Sequence, residues 1–223
     1  MLATPAVLAW CAWAGFEQSA LLGLLVVLAS LAAAYAGYER SRPALRDLVP
    51  SVVLASLAIA GRILFAAVPS FKPVSAIAII AGIVLGRHSG FMVGSLAALG
   101  SNFVLGQGAW TPWQMYAWGL VGYLAGVLFP ALDDERPRRL AVLAYGFASG
   151  LLYGAILNAW SIIGFYRPTS LAGMAAIFGS ALPFDVVHGL ATVAFLAVLY
   201  VPWARRLRRV RERWGLGEGP GPR

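Results

Sequence analysis

The stretch FKPVSAIAIIAGIVLGRHSGFMVGSLAALGSNFVLGQGAWTPWQM, Phe71 to Met115, decides how the rest of the chain is read. Two apolar runs, 74–86 and 91–105, meet at GRHSG, Gly86 to Gly90, a turn with glycine at both ends. Each run is shorter than the roughly 20 apolar residues that a bilayer span needs. Short glycine-rich helices still span when neighbours bury them or the bilayer thins around them. After Gly106 the composition changes abruptly. GQGAWTPWQMYAWG, Gly106 to Gly119, carries three tryptophans, two glutamines and a proline within an otherwise largely aliphatic chain. Thr111 before Pro112 is a helix start, with threonine as N-cap and proline at the first helical position.

Composition places these elements in a membrane. The chain has 223 residues, 60% hydrophobic and 12% charged, with a mean hydropathy of +0.77. A soluble domain carries about 25% charged residues. The expectation is an all-α integral membrane protein with one compact domain. The formal charge of +8 is concentrated in RRLRRVRER, Arg205 to Arg213, directly after an apolar run. That pattern is a juxtamembrane anchor on the anionic cytoplasmic leaflet. No soluble domain accompanies it, so nucleic acid is not an expected partner. Cys11 is the single cysteine, which excludes an intramolecular disulfide. The N-terminus lacks the basic n-region of a cleaved signal, and insertion without cleavage is expected.

Apolar segments fall near 20–38, 50–68, 74–86, 91–105, 113–131, 140–165 and 183–203. Residues 1–19 are ambiguous, because Pro5 and the Phe16–Glu17–Gln18 break leave too little for a span. The organisation expected is an N-terminal extension, 1–49, with one transmembrane helix and a basic linker. A six-helix membrane domain, 50–203, and a basic tail, 204–223, follow it. Placing Arg40, Arg42 and Arg46 inside puts Arg87, Arg136, Arg138, Arg139 and the Arg205–Arg213 cluster inside as well. Lys72 and Arg167 fall in outside loops, and Arg62 lies within a span. A multi-pass protein with a cytoplasmic C-terminus follows.

In that frame the strongly polar side chains of the six helices fall in the outer half. They are Arg62, Asn102, Gln114, Asn158, Asp185 and His188. Polar groups are costly in lipid and face a bundle interior or a wet cavity. A cavity open to the outside is expected, with Gly106–Thr111 lying over its mouth. Its glycines allow close approach, and Gln107, Trp110, Trp113 and Gln114 offer hydrogen bonds and stacking. An interfacial aromatic belt is the other reading of Trp110 and Trp113. A buried Arg62 needs a partner or water. It is either a structural partner of Asp185 or an anchor for an anionic or amide-bearing substrate, and both can hold. Asp185 and His188 share a helix face at i, i+3. A metal site is not expected, since the only other histidine, His88, belongs to the opposite side. Asn158 is a helix-to-helix hydrogen-bonding group or a contact in the same layer.

The stretch Phe71–Met115 resembles the substrate-binding membrane subunits, or S components, of energy-coupling factor transporters. The shared features are a proline-bearing outer loop, a glycine-rich helix pair and an outer loop entering the fourth helix. FDVVHGLATVAFL, Phe184 to Leu196, is similar to the last helix of that family, and the similarity covers about 50–203. The resemblance implies a six-helix prokaryotic plasma-membrane protein that captures a vitamin or related micronutrient from outside. A corrinoid such as cobalamin is one such substrate. It also implies a coupling membrane subunit and two ATPases as partners, with Lys72 in a loop that helps cover the substrate. No nucleotide-binding G-x-x-x-x-G-K-[ST] occurs, and no cofactor is implied. Where many relatives carry alanine-x-x-x-alanine on the first helix for docking, this chain has Ser51-x-x-x-Ala55 and Ser56-x-x-x-Ala60. Small residues at that spacing still permit close contact, and Arg87 in the inner turn joins the candidate docking set.

Two other classes find partial support in the sequence. GFASG, Gly146 to Gly150, comes near an intramembrane serine-protease motif. Its spacing is off, and the expected depth of Ser149 is far from His188, whereas catalysis needs hydrogen-bond reach. A non-transporting scaffold or channel is the other, and the aliphatic inner half lacks the polar ring of an ion pathway. The topology is testable by cysteine scanning. A thiol reagent added to intact cells is expected to label a cysteine at Gly108 and not one at Arg138; strong external labelling at 138 overturns it.

Overall fold

The computed structural model describes residues 19–40, 45–130, 136–166 and 170–216. The ambiguous N-terminal run with Cys11, together with Arg42, Arg167 and the last seven residues, lies outside the described residues. So do the side chains at 136–138.

Every element among the described residues is helical. They are α1 (Ser19–Arg40), α2 (Leu45–Leu64), α3 (Val74–Leu85), α4 (Arg87–Leu105), α5 (Thr111–Leu128), α6 (Arg136–Ser161) and α7 (Leu171–Trp214). A π turn, Ile162–Tyr166, extends α6. Four stretches are long and apolar enough to cross a membrane: Leu21–Arg40, Leu45–Leu64, Arg139–Tyr166 and Leu171–Trp214. The chain runs up and down, so Arg40, Arg46, Arg87, Arg139 and Arg205–Arg213 gather at one end, the basic end. The 65–73 loop, the 106–110 loop and the π turn gather at the other, the aromatic end.

Helix α3 is the hub. It packs against α2, α4, α5, α6 and α7, and Val74 through Val84 are all buried. At 1.5 Å per residue its 12 residues span about 18 Å, well short of a 30 Å hydrocarbon core. The shortfall is tolerated because neighbours enclose it, and a helix apolar on all faces is suited to that position. Gly86, with φ 100°, turns the chain directly into α4; that backbone region is open chiefly to glycine. Arg211, near the end of α7, donates to the Val84 carbonyl at 3.2 Å. It thereby satisfies one of the carbonyls left open at the C-terminus of α3.

Glycines let the backbones of α3, α4 and α5 touch. A methyl group at Gly82 or Gly90 would overlap the Gly122 carbonyl, and one at Gly94 would overlap the Trp118 carbonyl. One at Gly126 would stand 2.5 Å from the Arg87 Cα and 2.7 Å from the Gly82 carbonyl oxygen. The α6–α7 pair repeats the device. Gly146, Gly150 and Gly154, at four-residue intervals, face Leu196, the Gly189 backbone and the Asp185 carboxylate. The GFASG sequence is thus a helix-packing face.

Several boundaries differ from expectation. The last helix begins at Leu171, capped by Ser170, whose hydroxyl accepts from the Gly173 N–H at 3.1 Å, and runs through Pro183 and Pro202. The basic tail is its continuation, so the helix is 44 residues and about 66 Å long. Its first turns read as loop because glycine, alanine and serine dominate them. Helix α2 starts at Leu45, before Pro50, and ends at Leu64. Thr111 is the first helical residue, preceded by Trp110 as cap, with no side-chain cap hydrogen bond. Helix α1 packs on α4, α5 and the π turn, and Val27, Leu31 and Ala34 join the core around Trp113, Tyr116 and Leu120.

Replacing Gly122 by alanine forces α3 and α4 away from α5. The expected cost is about 1–3 kcal/mol, as for other overpacked cores. Gly179 has open space where its Cβ would stand, so Gly179→Ala is expected to be neutral or stabilising, by up to about 1 kcal/mol. Thermal unfolding of both variants in detergent checks the contrast.

Candidate functional site

The polar residues of the aromatic end form two buried clusters. Arg62, in the last turn of α2, has only 9% of its surface exposed. Its Nη1 donates to the Ser101 hydroxyl at 2.5 Å and to Asn102 Oδ1 at 2.6 Å, and its Nη2 reaches Gln114 Oε1 at 3.5 Å. The Trp118 ring lies 4.8 Å from the guanidinium carbon, a cation–π contact. Asn102 Nδ2 donates to Gln114 Oε1 at 2.9 Å and to the Thr111 hydroxyl at 3.0 Å. The Thr111 hydroxyl donates to Gln107 Oε1 at 2.9 Å and accepts from the Gly108 N–H at 3.3 Å. Gln107 Nε2 in turn reaches the Leu99 carbonyl at 3.3 Å. The loop is therefore pinned to the ends of α4 and α5 by one continuous chain of hydrogen bonds that starts at Arg62.

The second cluster lies beside it. Trp118 Nε1 donates to the Ser75 hydroxyl at 3.1 Å, and that hydroxyl lies 2.9 Å from His188 Nε2. Tyr153 stacks on Trp118 at 4.5 Å and meets the His188 ring edge-on at 4.8 Å. Tyr153 thus packs against Trp118, the ring that also faces Arg62, and against His188 on α7.

Arg62 and Asp185 are not an ion pair. Asn158 Nδ2 donates to Asp185 Oδ2 at 3.3 Å, and the Asp185 carboxylate lies over Gly154. Each charge has its own neutral partners: Ser101, Asn102 and Gln114 for Arg62, and Asn158 for Asp185. His188 is a hydrogen-bonded core residue held by Ser75. Lys72 closes the α2–α3 loop, donating to the carbonyls of Phe65, Ala66 at 3.3 Å and Val68 at 2.5 Å. Burial, and then the charge of Arg62, hold its pKa below the ordinary lysine value.

Trp110 and Trp113 part company. Trp113 is a core residue, 2% exposed, against Gly23 of α1. Trp110 is 38% exposed and meets Trp160 edge-to-face at 6.4 Å. Beside Trp113 opens a cleft of about 300 Å³ lined also by Leu21, Leu24, Ala109, Trp160, Ile163 and Phe165. The size is at the low end for small-molecule sites. Its walls are largely apolar, and the hydrogen-bonded cluster around Arg62 lies outside its lining.

The other singled-out residues have definite places. Ser51 and Ala55 are buried in the bundle, whereas Ser56 and Ala60 are exposed on α2. Arg87 is exposed and lies 5.8 Å over the Tyr123 ring. Ser149 is level with His188, since Gly150 touches the His188–Gly189 backbone; the expected difference in depth is not there. Direction separates them instead: Ser149 donates to the Gly146 carbonyl at 2.8 Å. No cluster of three metal-ligating side chains occurs among the described residues.

Ser75, Ser101, Trp118 and Tyr153 complete both clusters and escaped the sequence reading. A serine within a fully apolar helix, as at Ser75, is the signal that could have found the first. Trp118 and Tyr153 carry no such mark among so many aromatics. Coupling measurements discriminate the observed pairing from the expected one. In thermal stability, Arg62→Gln and Asn102→Ala are expected to be non-additive by about 1–3 kcal/mol. Arg62→Gln with Asp185→Asn is expected to show a coupling of no more than about 0.5 kcal/mol.

No curated protein and no solved structure matches the chain. Residues 41–212, the bundle without α1, match a family of unknown function. The glycine hub, the Arg62 cluster and most of the basic end lie within that match, and the chain belongs to DUF6580.

Proposed function

We propose that this protein is the substrate-capturing membrane subunit of an energy-coupling-factor-type importer in a prokaryotic plasma membrane. It takes a vitamin-like micronutrient at the aromatic end. A coupling membrane subunit and two ATPases move the cargo inward, and the protein itself performs no chemistry. The observation that carries the proposal is Arg62. Its partners among the described residues are neutral, and a buried cation in a membrane-spanning helix is by default a functional group. Two features support it. The 106–110 loop is tied to the Arg62 cluster, so a ligand there is sensed by the loop. The Trp110–Trp160 contact and the apolar cleft provide adjacent aromatic surface for a ring-bearing molecule.

The arginines define the cytoplasmic face under the positive-inside rule, with the aromatic end outside. Exposed Ser56 and Ala60 leave a small-residue strip on α2 for a partner helix, and Arg87 lies at the basic end. Ser51 and Ala55 contribute from within the bundle and are not contact residues in this scheme.

The test is calorimetry of the purified protein against a vitamin panel that includes cobalamin, riboflavin and pantothenate, without ATP. One member is expected to bind, with a change in tryptophan fluorescence. Trp110→Ala is expected to weaken that binding by about tenfold. Ser56→Leu with Ala60→Leu is expected to leave binding intact and to abolish uptake in cells supplying the coupling subunit and ATPases. Normal binding by Trp110→Ala moves the site away from the loop, and unimpaired uptake by the α2 double variant removes the docking strip.

A further inference from the structure

We infer that the aromatic end recognises a carboxylate or phosphate group, with Arg62 as its direct anchor and Lys72 as the second positive charge. The anion assignment rests on the capture function proposed above and specifies its substrate class. A guanidinium has five N–H donors. Three are used here, by Ser101, Asn102 and, at 3.5 Å, Gln114. The Nε–H and one Nη2–H have no partner among the described residues, and Nε is not among the fully buried side-chain atoms that lack one, so this side of the guanidinium is open to solvent or to a ligand. Those two donors lie along one edge of the planar group, the edge that binds a carboxylate or phosphate through two parallel hydrogen bonds.

The charge balance points the same way. The acids among the described residues are Glu39, Asp47, Asp185 and Glu212. Glu39, Asp47 and Glu212 belong to the basic end. Asp185 is engaged by Asn158 and makes no ion pair with Arg62. Lys72 spends its donors on three loop carbonyls at the same end of the bundle, near enough that the charge of Arg62 helps lower its pKa. Two cations thus share one end of the bundle without an acid beside them. Ser101 and Asn102 hold the guanidinium by Nη1, Gln114 takes one long bond from Nη2, and all three are neutral, so the charge is left uncompensated. An entering anion would remove that imbalance, whereas a neutral or cationic ligand would not.

The test is a tryptophan-fluorescence titration of the purified full chain with matched pairs. These are pantothenate and pantothenol, biotin and biotinamide, and nicotinate and nicotinamide, with inorganic phosphate as a bare anion. The anionic member is expected to bind at least about tenfold more tightly than its neutral partner, as charged hydrogen bonds imply. Raising sodium chloride from 50 to 500 mM is expected to weaken the anion and spare the neutral partner. In Arg62→Gln the preference is expected to fall below threefold, and in Arg62→Lys to persist at lower affinity. Should Arg62→Gln not fold, Lys72→Gln is expected to reduce the preference two- to threefold. Equal affinity within the pairs, or a preference unchanged in the Arg62 and Lys72 variants, overturns the anion assignment and leaves capture standing. Absence of binding by every anion up to 10 mM also overturns it. In that case, vitamin uptake with the coupling partners decides separately whether capture survives.

Discussion

Backbone contact between α3, α4 and α5 is the constraint on which the rest of the molecule depends. Gly82, Gly90, Gly94, Gly122 and Gly126 remove the side chains that would hold these helices apart. In lipid there is little hydrophobic drive for helices to associate, so close packing and hydrogen bonding must do it. The hub uses both. Its glycines bring α3 into the centre, where a 12-residue helix can be enclosed on all sides. That enclosure in turn places Ser75 beneath Trp118 and beside His188.

The polar layer follows from this geometry. Each group buried there needs a partner, because an unmet polar group in a low-dielectric setting costs kilocalories. Trp118 connects the two clusters: its indole N–H serves Ser75, while its ring faces Arg62. Asn102 spends its amide donors on Thr111 and Gln114 and its oxygen on Arg62. The arrangement fixes the 106–110 loop without a conventional helix cap. It also leaves one edge of one cation unsatisfied, at the end of the bundle that carries an aromatic cleft.

The opposite end is organised by arginine. Arg211 reaches back to the carbonyl end of α3, and Arg139 donates to the Ala197 carbonyl at 3.0 Å. At the end of α3 the cation meets an open helix carbonyl and gains from both hydrogen bonding and the helix dipole; Ala197 lies within α7, so Arg139 there is a side-chain tie between α6 and α7. The long α7 does more than carry the basic cluster. It contributes His188 to the buried layer and Arg211 to the hub, and Gly189 gives α6 its close approach. A single helix of 44 residues links the two ends.

Composition and spacing alone determined the all-helical class, most of the helix positions and the concentration of polar residues at one end. These are legible because they depend on hydropathy and on glycine and proline chemistry, which act locally. Candidate residues Arg62, Asn102 and Gln114 were legible for the same reason: a strong polar group in an apolar run is conspicuous. Pairing was not. Whether Arg62 and Asp185 meet depends on how α2 and α7 are rotated, and each charge instead finds neutral partners. The rotation of α2 likewise buries Ser51 and Ala55 and exposes Ser56 and Ala60, while Ser149 on α6 bonds its own helix at Gly146. Helical phase and interhelical distance are set by contacts between residues far apart in the chain, so only the tertiary structure decided them.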